Sequence, residues 1–224
     1  MNTLVIDQLS FERDDLSLFE NISAEWRSGD IVQLSGANGT GKTTLMRLLA
    51  GLLAPSTGEI SWNQRSTNSF EFRSSLLYLG HHVGVKATMT PYENLSWYFS
   101  LNGAKRVPQT GLAADPVIAP TELEAALDGV GLKAYRDIPC YQLSAGQQRG
   151  AALARLSVSE APLWLLDEPF TAIDAAGVAR LEQVIEQRAE QGGIIILTTH
   201  QAWRSDRVQI LNLEEFSPGR QSCT

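Results

Sequence analysis

The sequence predicts an α/β fold in which a helical subdomain is inserted between the strands of a sheet. An apolar strand at residues 31–34 runs into the glycine-rich stretch 36–44, and an amphipathic helix follows. Continuous apolar runs at residues 163–166 and 194–197 are typical of buried parallel strands. Helical periodicity and capping signals occupy residues 90–160, between these two parts of the sheet.

The stretch 36–44 reads GANGTGKTT, a G-x-x-x-x-G-K-[ST] loop in a strand–loop–helix context. Glycines let the backbone curl so that N–H groups point at phosphate oxygens, and the helix N-terminus adds partial positive charge. Lys42 supplies a charge for the β- and γ-phosphates, and Thr43 supplies a hydroxyl for Mg²⁺. The alternative is an ordinary glycine-rich turn, but motif and context together predict a nucleoside triphosphate site. Its expected nucleotide contacts are Gly36, Ala37, Asn38, Gly39, Thr40, Gly41, Lys42, Thr43 and Thr44.

The chain on either side of this loop predicts further strands. Before the loop, apolar residues favour strands at 4–6 and 16–26, with a turn at 28–30. After the loop's helix we expect a turn and a strand within residues 55–65 and a short strand at 76–79.

The segment between the two parts of the sheet predicts helices. Thr90 and Glu93 form a capping box at the start of one helix, and Thr121 and Glu124 form a second. Residues 102–120 are rich in glycine and proline and predict a surface loop. Beyond the strand at 163–166 we expect a helix, a strand at 194–197 and a last strand at 208–213.

Asp167 and Glu168 end the second apolar strand. Ligands of open α/β sheets bind at the carboxyl ends of parallel strands. We therefore expect Asp167 to hold Mg²⁺ or its waters and Glu168 to orient and polarise the attacking water. The alternative is a strand that ends in a solvated acidic turn. This alternative is disfavoured because the chain also contains a phosphate loop.

The stretch LSAGQQR at residues 143–149 begins a helix. Ser144 is a good N-cap with Gln147 at the capping-box position, and Gly146 permits close approach to the backbone. By these residues alone, a plain helix start and a binding element remain equally open.

Composition limits the partners and the compartment. The chain has 224 residues and a net charge of −7 without a long basic run, so nucleic acid is disfavoured as the main partner. Cys140 and Cys223 share no metal spacing and are expected to be free thiols. We expect no signal peptide and no transmembrane helix, and a location in the cytoplasm unless a partner holds the chain at a membrane.

Four stretches taken together resemble the nucleotide-binding subunits of ABC transporters. They are GANGTGKTT at 36–44, LSAGQQR at 143–149, LLDEPFTAID at 165–174 and TTH at 198–200. The resemblance implies an ATP-hydrolysing P-loop fold with a mixed sheet core and an N-terminal antiparallel β part. Residues 1–224 would form a single ATP-binding domain, in which 1–89 and 161–224 form the core and 90–160 the helical subdomain.

The resemblance also implies roles for individual residues. Two copies of the chain would enclose ATP and Mg²⁺, so that the phosphate loop of one copy faces Ser144 and Gly146 of the other. Asp174 resembles the aspartate at the dimer seam. His200 resembles the switch histidine that contacts the γ-phosphate, although a lone histidine is often structural.

The chain departs from the family pattern at three positions. Ala145 replaces a usual glycine in the signature, and we expect function to survive this small change. The usual glutamine before the helical subdomain is absent, and His82 is expected to take its place at the metal. Arg13 stands where an aromatic residue usually stacks on adenine, so it contacts adenine by a cation–π interaction or is ordinary surface charge.

A narrower resemblance comes from GHHVGVK at residues 80–86 ahead of the ENL helix, together with the motifs above. These stretches are similar to the ATP-binding subunits of bacterial haem export and cytochrome c maturation. This implies permease partners of the CcmB and CcmC kind and a peripheral position on the cytoplasmic face of the inner membrane. It also implies ATP hydrolysis that releases a haem-loaded periplasmic chaperone, with no direct haem binding by this chain.

Two other functions remain as alternatives. The chain would serve another ABC transporter, or it would be a soluble ABC ATPase that acts on nucleic acid or ribosomes. The single cassette and the net charge of −7 disfavour the soluble ATPase. A non-hydrolysing regulatory subunit is disfavoured by the presence of Glu168 and His200.

Overall fold

The computed structural model describes residues 1–14, 16–82, 84–101, 118–200 and 207–218. The chain divides into two compact units. The first takes in Met1–His81, Ala161–Pro169 and Ile185–Thr224, and the second takes in His82–Glu160 and Phe170–Val184.

The first unit contains two sheets. Its strands are β1 (Thr3–Arg13), β2 (Leu16–Arg27), β3 (Ile31–Ser35), β4 (Thr57–Trp62), β5 (Arg65–Ser66), β6 (Leu76–Leu79), β7 (Leu163–Asp167), β8 (Ile194–Thr198) and β9 (Val208–Asn212). Its helices are α1 (Lys42–Leu49), α2 (Phe70–Ser74) and a 3-10 helix at Leu213–Phe216. The strand predictions at both ends of the chain are confirmed.

One sheet is antiparallel, in the order β2-β1-β4-β5. Alternate residues of β1, such as Leu4 and Ile6, are buried, as expected for a sheet with one covered face. The register of β1 and β4 shifts between Asp7 and Ser10. Gly58 lies opposite this shift with φ +81°, where an added Cβ would come within 2.3 Å of Gln8 O. Only glycine fits there.

The other sheet has the order β6-β7-β8-β3-β9. Every neighbouring pair is parallel. All five residues of β7 and all five of β8 are buried, which explains the apolar runs at residues 163–166 and 194–197 within them. Because parallel strands end at the same edge of a sheet, the last residues of β3, β7 and β8 meet there. These residues are Ser35, Asp167 and Thr198.

Helix α1 is anchored by its apolar face. Leu45 and Leu48 are at most 1 % exposed and belong to the same buried cluster as Leu34 of β3 and Leu165 of β7. This packing fixes the start of α1, and with it the end of the phosphate loop.

The second unit is mainly helical. It contains α3 (Pro91–Leu101), α4 (Pro120–Gly129), α5 (Ala145–Val158) and 3-10 helices at Lys133–Tyr135 and Cys140–Gln142. Helix α6 (Ala175–Glu190) begins in this unit and ends in the first. The capping box of α3 is confirmed, since Thr90 Oγ1 accepts from Glu93 N at 3.1 Å and Glu93 Oε2 accepts from Thr90 N at 2.9 Å.

The predicted start of α4 is wrong. The helix begins at Pro120 with Ala119 as N-cap and without a side-chain cap, so Thr121 and Glu124 form no capping box. Proline replaces the box because its fixed φ suits the first helical position and it has no N–H to satisfy. The sequence also missed α2 and β5, which are too short to show periodicity.

Two other predictions involve residues of which only some lie within the described ranges. The surface loop predicted at 102–120 lies mostly outside the described residues, as does Cys223. Cys140 is a buried free thiol, in agreement with the prediction for it. Among the described residues, no helix has both the length and the apolar composition that crossing a bilayer requires.

Candidate functional site

The phosphate loop folds back on its own lysine. Lys42 Nζ donates to Gly36 O at 2.7 Å and to Ala37 O at 2.9 Å, and Thr40 Oγ1 also donates to Ala37 O at 2.9 Å. The ammonium group therefore lies within the curl of the loop, held by these carbonyl oxygens.

Two loop glycines are required by close contacts. Gly36 has φ +138°, and a Cβ there would lie 2.8 Å from Thr40 Oγ1. Gly41 has φ +94° at the N-cap of α1, and a Cβ there would lie 3.0 Å from the ring of Phe19. A side chain at either position would move the backbone away from the geometry that exposes the N–H groups.

The two carboxylates at the end of β7 are fixed by Thr198 at the end of β8. Thr198 Oγ1 donates to Asp167 Oδ1 at 2.8 Å and accepts from Glu168 N at 2.8 Å. The register of β7 and β8 pairs Asp167 with Thr198, which brings the hydroxyl between the two groups. Glu168 has φ +54°, an uncommon backbone conformation for a residue with a side chain, and such strain often accompanies functional sites.

Asp167 has an unused acceptor. The residue is 2 % exposed, and its Oδ2 has no hydrogen-bond partner among the residues that the structure describes. A buried carboxylate oxygen without a partner is costly unless a cation or a water satisfies it. Together with the Thr43 hydroxyl it offers the oxygen ligands that Mg²⁺ prefers.

Asp167 also acts on Tyr78 of the neighbouring strand β6. Burial raises the pKa of the Tyr78 phenol, and the negative charge of Asp167 raises that pKa further. The Arg47 side chain opposes both effects through a hydrogen bond and its positive charge. The net upward shift of the pKa favours the neutral phenol.

His200 lies beside Glu168. Its Nε2 is 3.4 Å from Glu168 Oε1, and the two side chains are 66 % and 20 % exposed. The imidazole faces solvent while the carboxylate is mostly enclosed. Their contact places His200 where it can orient Glu168 and reach a ligand at the same time.

These groups surround one cavity of about 370 Å³ in the first unit. Its lining consists of Leu18, Asn38, Gly39, Gly41, Lys42, Thr43, Thr44, His81, Asp167, Glu168 and His200. The structure therefore brings together the phosphate loop, both strand-end carboxylates and the predicted switch histidine.

Of the two neighbouring histidines, His81 lines this cavity. His82, which the sequence predicts at the metal, belongs to the second unit. Both histidines are exposed. Arg13 is not among the described residues of the lining. Its side chain is 74 % exposed, and its Nε lies 3.4 Å from Asp14 Oδ2.

The signature stretch forms the start of α5 in the second unit. Ser144 Oγ accepts from Gln147 N at 3.2 Å, and Gln147 Oε1 accepts from Ser144 N at 2.9 Å, which confirms the predicted capping box. The Ser144 hydroxyl hydrogen is not used in this box and can still be donated to a ligand. A Cβ at Gly146 would lie 3.1 Å from Ala172 O, which explains glycine there.

Asp174 lies in the same unit as the signature. Its Oδ1 accepts from Gly177 N at 2.7 Å in the first turn of α6. Ser144, Gly146 and Asp174 all line a second cavity of about 370 Å³. The structure therefore brings these three predicted residues together within the second unit.

Sequence reasoning missed three residues around the first cavity. Thr198 was visible only as part of the TTH stretch, and the pairing of β7 with β8 gives it its role. His81 is adjacent to His82, the histidine that the sequence predicts at the metal. Glu214 accepts from Ala37 N at 2.9 Å, and no motif marks it.

Comparison with known proteins extends these observations. Residues 19–171 match the sequence pattern of the ABC transporter family. The cytochrome c biogenesis ATP-binding export protein CcmA of Saccharophagus degradans is 50% identical over 212 residues, covering 95% of this chain and 93% of that protein. CcmA of Hahella chejuensis is 51% identical over 195 residues, covering 86% of each.

A solved structure from Pyrococcus furiosus, assigned as an ABC transporter ATP-binding protein, has a TM-score of 0.80 at 25% identity. It aligns with 96% of this chain and 99% of its own. The similarity in sequence and in fold therefore extends over nearly the whole chain.

Proposed function

The chain belongs to the ABC transporter family as an ATP-binding ATPase subunit, and from this premise we propose that it drives a membrane complex for haem export in cytochrome c biogenesis. The names of its curated relatives support the cytochrome c branch. The observation that carries the ATPase mechanism is the convergence of Lys42, Asp167, Glu168 and His200 on one cavity.

In the proposed mechanism the triphosphate lies along residues 36–44, against the N–H groups of the loop and the start of α1. Lys42 leaves the carbonyl oxygens of Gly36 and Ala37 and binds the β- and γ-phosphates. The hydrogen bonds that it makes in this structure keep its charge close to the place where the phosphates arrive.

Thr43 and Asp167 would hold Mg²⁺, and the ion would neutralise negative charge on the phosphates. Asp167 Oδ2, for which the described part of the chain offers no hydrogen-bond partner, supports this assignment. The predicted role of His82 at the metal stays a prediction, and His81 is the neighbour that lines the cavity.

Glu168 accepts a proton from the water that attacks the γ-phosphorus. The new P–O bond forms as the bond to the β–γ bridging oxygen breaks, which gives ADP and inorganic phosphate. His200 orients the Glu168 carboxylate and contacts the γ-phosphate. Thr198 holds the Glu168 backbone in place during this step.

We further propose that two copies of the chain complete each ATP site. The helix start at Ser144 and Gly146 of one copy would donate to the γ-phosphate bound by the other, and Asp174 would lie at the seam. The Ser144 hydroxyl hydrogen, which the capping box does not use, and the N–H groups at the start of α5 support this role. Arg13 stays a proposed adenine contact through cation–π stacking.

The two units would act together as one ATP-binding domain, peripheral to the cytoplasmic face of the inner membrane. Its partners would be permease subunits of the CcmB and CcmC kind, and hydrolysis would release a haem-loaded chaperone. The chain itself would not bind haem.

Affinity purification of the tagged chain from detergent-solubilised bacterial membranes tests this proposal. We expect haem-handling membrane proteins to co-purify. The Glu168→Gln variant should recover more of them in the presence of ATP than in the presence of ADP. Recovery of permeases for an unrelated substrate would overturn the haem assignment, and recovery of ribosomal proteins would overturn the transport role.

A further inference from the structure

The phosphate loop is held by a carboxylate that is distant in the sequence. Ala37 N donates to Glu214 Oε1 at 2.9 Å, across 177 positions of the chain. Ala37 was expected to contact the nucleotide, but in this structure its N–H is occupied by Glu214. The contact therefore acts on the loop itself.

Glu214 projects from a well-supported element. Its 3-10 helix, Leu213–Phe216, begins with a cap in which Asn212 Oδ1 accepts from Glu214 N at 3.1 Å. Leu213 is fully buried, and Phe216 packs against the core of the first unit. The carboxylate is thus presented to the loop from a capped and packed helix.

The same part of the loop is also bound through the Ala37 carbonyl group. Ala37 O accepts from Thr40 Oγ1 and from Lys42 Nζ, both at 2.9 Å. In the proposed mechanism Lys42 leaves this oxygen to bind phosphate. The bond from Ala37 N to Glu214 does not involve Lys42, so it can persist while the lysine moves.

The charge of Glu214 makes its role distinguishable. A carboxylate close to a triphosphate site repels the nucleotide, so its removal would strengthen binding if charge were its main effect. If the hydrogen bond holds the loop in its binding geometry, its removal would weaken binding, because the nucleotide must then order the loop. The two roles predict effects of opposite sign.

We infer that Glu214 is a positioning residue of the nucleotide site, which preorganises the phosphate loop by accepting a hydrogen bond from Ala37. This inference rests on the proposed nucleotide mechanism and adds a residue to it. Because Glu214 touches the loop and not the reacting atoms, it acts on nucleotide affinity more than on the chemical step.

The test compares Glu214→Ala and Glu214→Gln with the wild-type chain. Calorimetric titration with ADP and Mg²⁺ measures affinity, and steady-state hydrolysis separates KM from kcat. For Glu214→Ala we expect ADP affinity to fall and KM for ATP to rise by about three- to tenfold, with little change in kcat. Glu214→Gln keeps an acceptor of the same shape and should stay within about twofold of the wild type.

Glu215→Ala is the matched control, because Glu215 is the exposed neighbour with the same charge. It should leave ADP affinity unchanged. Asn212→Ala removes the cap that supports Glu214 and should weaken ADP binding less than Glu214→Ala does. Thermal melting of every variant checks that the fold is retained.

Unchanged or tighter ADP binding by a folded Glu214→Ala variant would overturn the inference. Binding by Glu214→Gln that is as weak as that of Glu214→Ala would overturn the acceptor role. If Glu214→Ala does not fold, the Asn212→Ala variant provides the test instead. An ADP affinity equal to that of the wild-type chain in Asn212→Ala would then contradict the inference. Failure of the wild-type chain to bind ADP would instead count against the proposed nucleotide mechanism.

Discussion

The hydroxyl of Thr198 donates a hydrogen bond of 2.8 Å to Asp167 Oδ1, and both residues are almost completely buried. The same hydroxyl accepts from Glu168 N at 2.8 Å. One oxygen on β8 therefore sets the position of the proposed metal ligand at the end of β7 and of the proposed general base that directly follows it. Its location follows from strand register, which pairs Asp167 with Thr198.

Replacing Thr198 with valine keeps the shape of the side chain and removes both hydrogen bonds. We expect the free energy of unfolding to fall by about 1–3 kcal/mol, because a buried carboxylate acceptor and a partly buried N–H lose their partner. We expect kcat to fall by about 10- to 100-fold, because Glu168 loses its alignment. Urea unfolding and steady-state hydrolysis measure the two effects. Thr198→Ser keeps the hydroxyl and serves as the control, and equal kcat values for the two variants would contradict the proposed alignment.

Glu168→Gln removes the group proposed to accept the proton of the attacking water. We expect kcat to fall by about 10²- to 10⁴-fold, with ATP still bound and the dimer trapped in its ATP-bound form. Single-turnover hydrolysis and size-exclusion chromatography with ATP and Mg²⁺ measure these effects. His200→Gln, at the residue 3.4 Å from Glu168, should reduce kcat less. Hydrolysis at the wild-type rate by Glu168→Gln would remove Glu168 from the mechanism.

Gly58→Ala tests the antiparallel sheet without touching the nucleotide site. The new Cβ would lie 2.3 Å from Gln8 O, and φ is +81°, so the backbone must shift. We expect a loss of about 1–3 kcal/mol in the free energy of unfolding, measured with urea. Gly129→Ala is the matched control, since a Cβ there meets no described residue within 4 Å and Gly129 ends helix α4. It should leave stability unchanged or raise it by up to about 1 kcal/mol. Equal losses in both variants would contradict the steric explanation.

The parts of the site with local signals could be predicted from the sequence. The strand, glycine loop and helix at residues 31–49 are contiguous, and so are the buried strand β7 and the carboxylates Asp167 and Glu168. The capping box at Ser144 was predictable for the same reason, because all its groups lie within four residues.

The other features depend on contacts between distant residues. The role of Thr198 requires the pairing of β7 with β8, and the role of Glu214 requires a contact across 177 positions. The choice between His81 and His82 depends on how the chain turns after β6, which spacing from the flanking motifs does not determine. The start of α4 was misplaced because a proline at the first helical position satisfied the helix end without a capping side chain.

The two neighbouring histidines give the last prediction. His81 lines the cavity with Lys42 and Asp167, whereas the sequence assigned the metal-linked role to His82. Imidazole favours Mn²⁺ over Mg²⁺ relative to an amide oxygen. We therefore expect His81→Gln to lower the ratio of Mn²⁺- to Mg²⁺-supported hydrolysis, and His82→Gln serves as the matched variant one residue away. If the Mn²⁺/Mg²⁺ activity ratio changes only in His82→Gln, the result favours the sequence prediction over the cavity lining. If the ratio is unchanged in both variants, neither histidine belongs to the metal site.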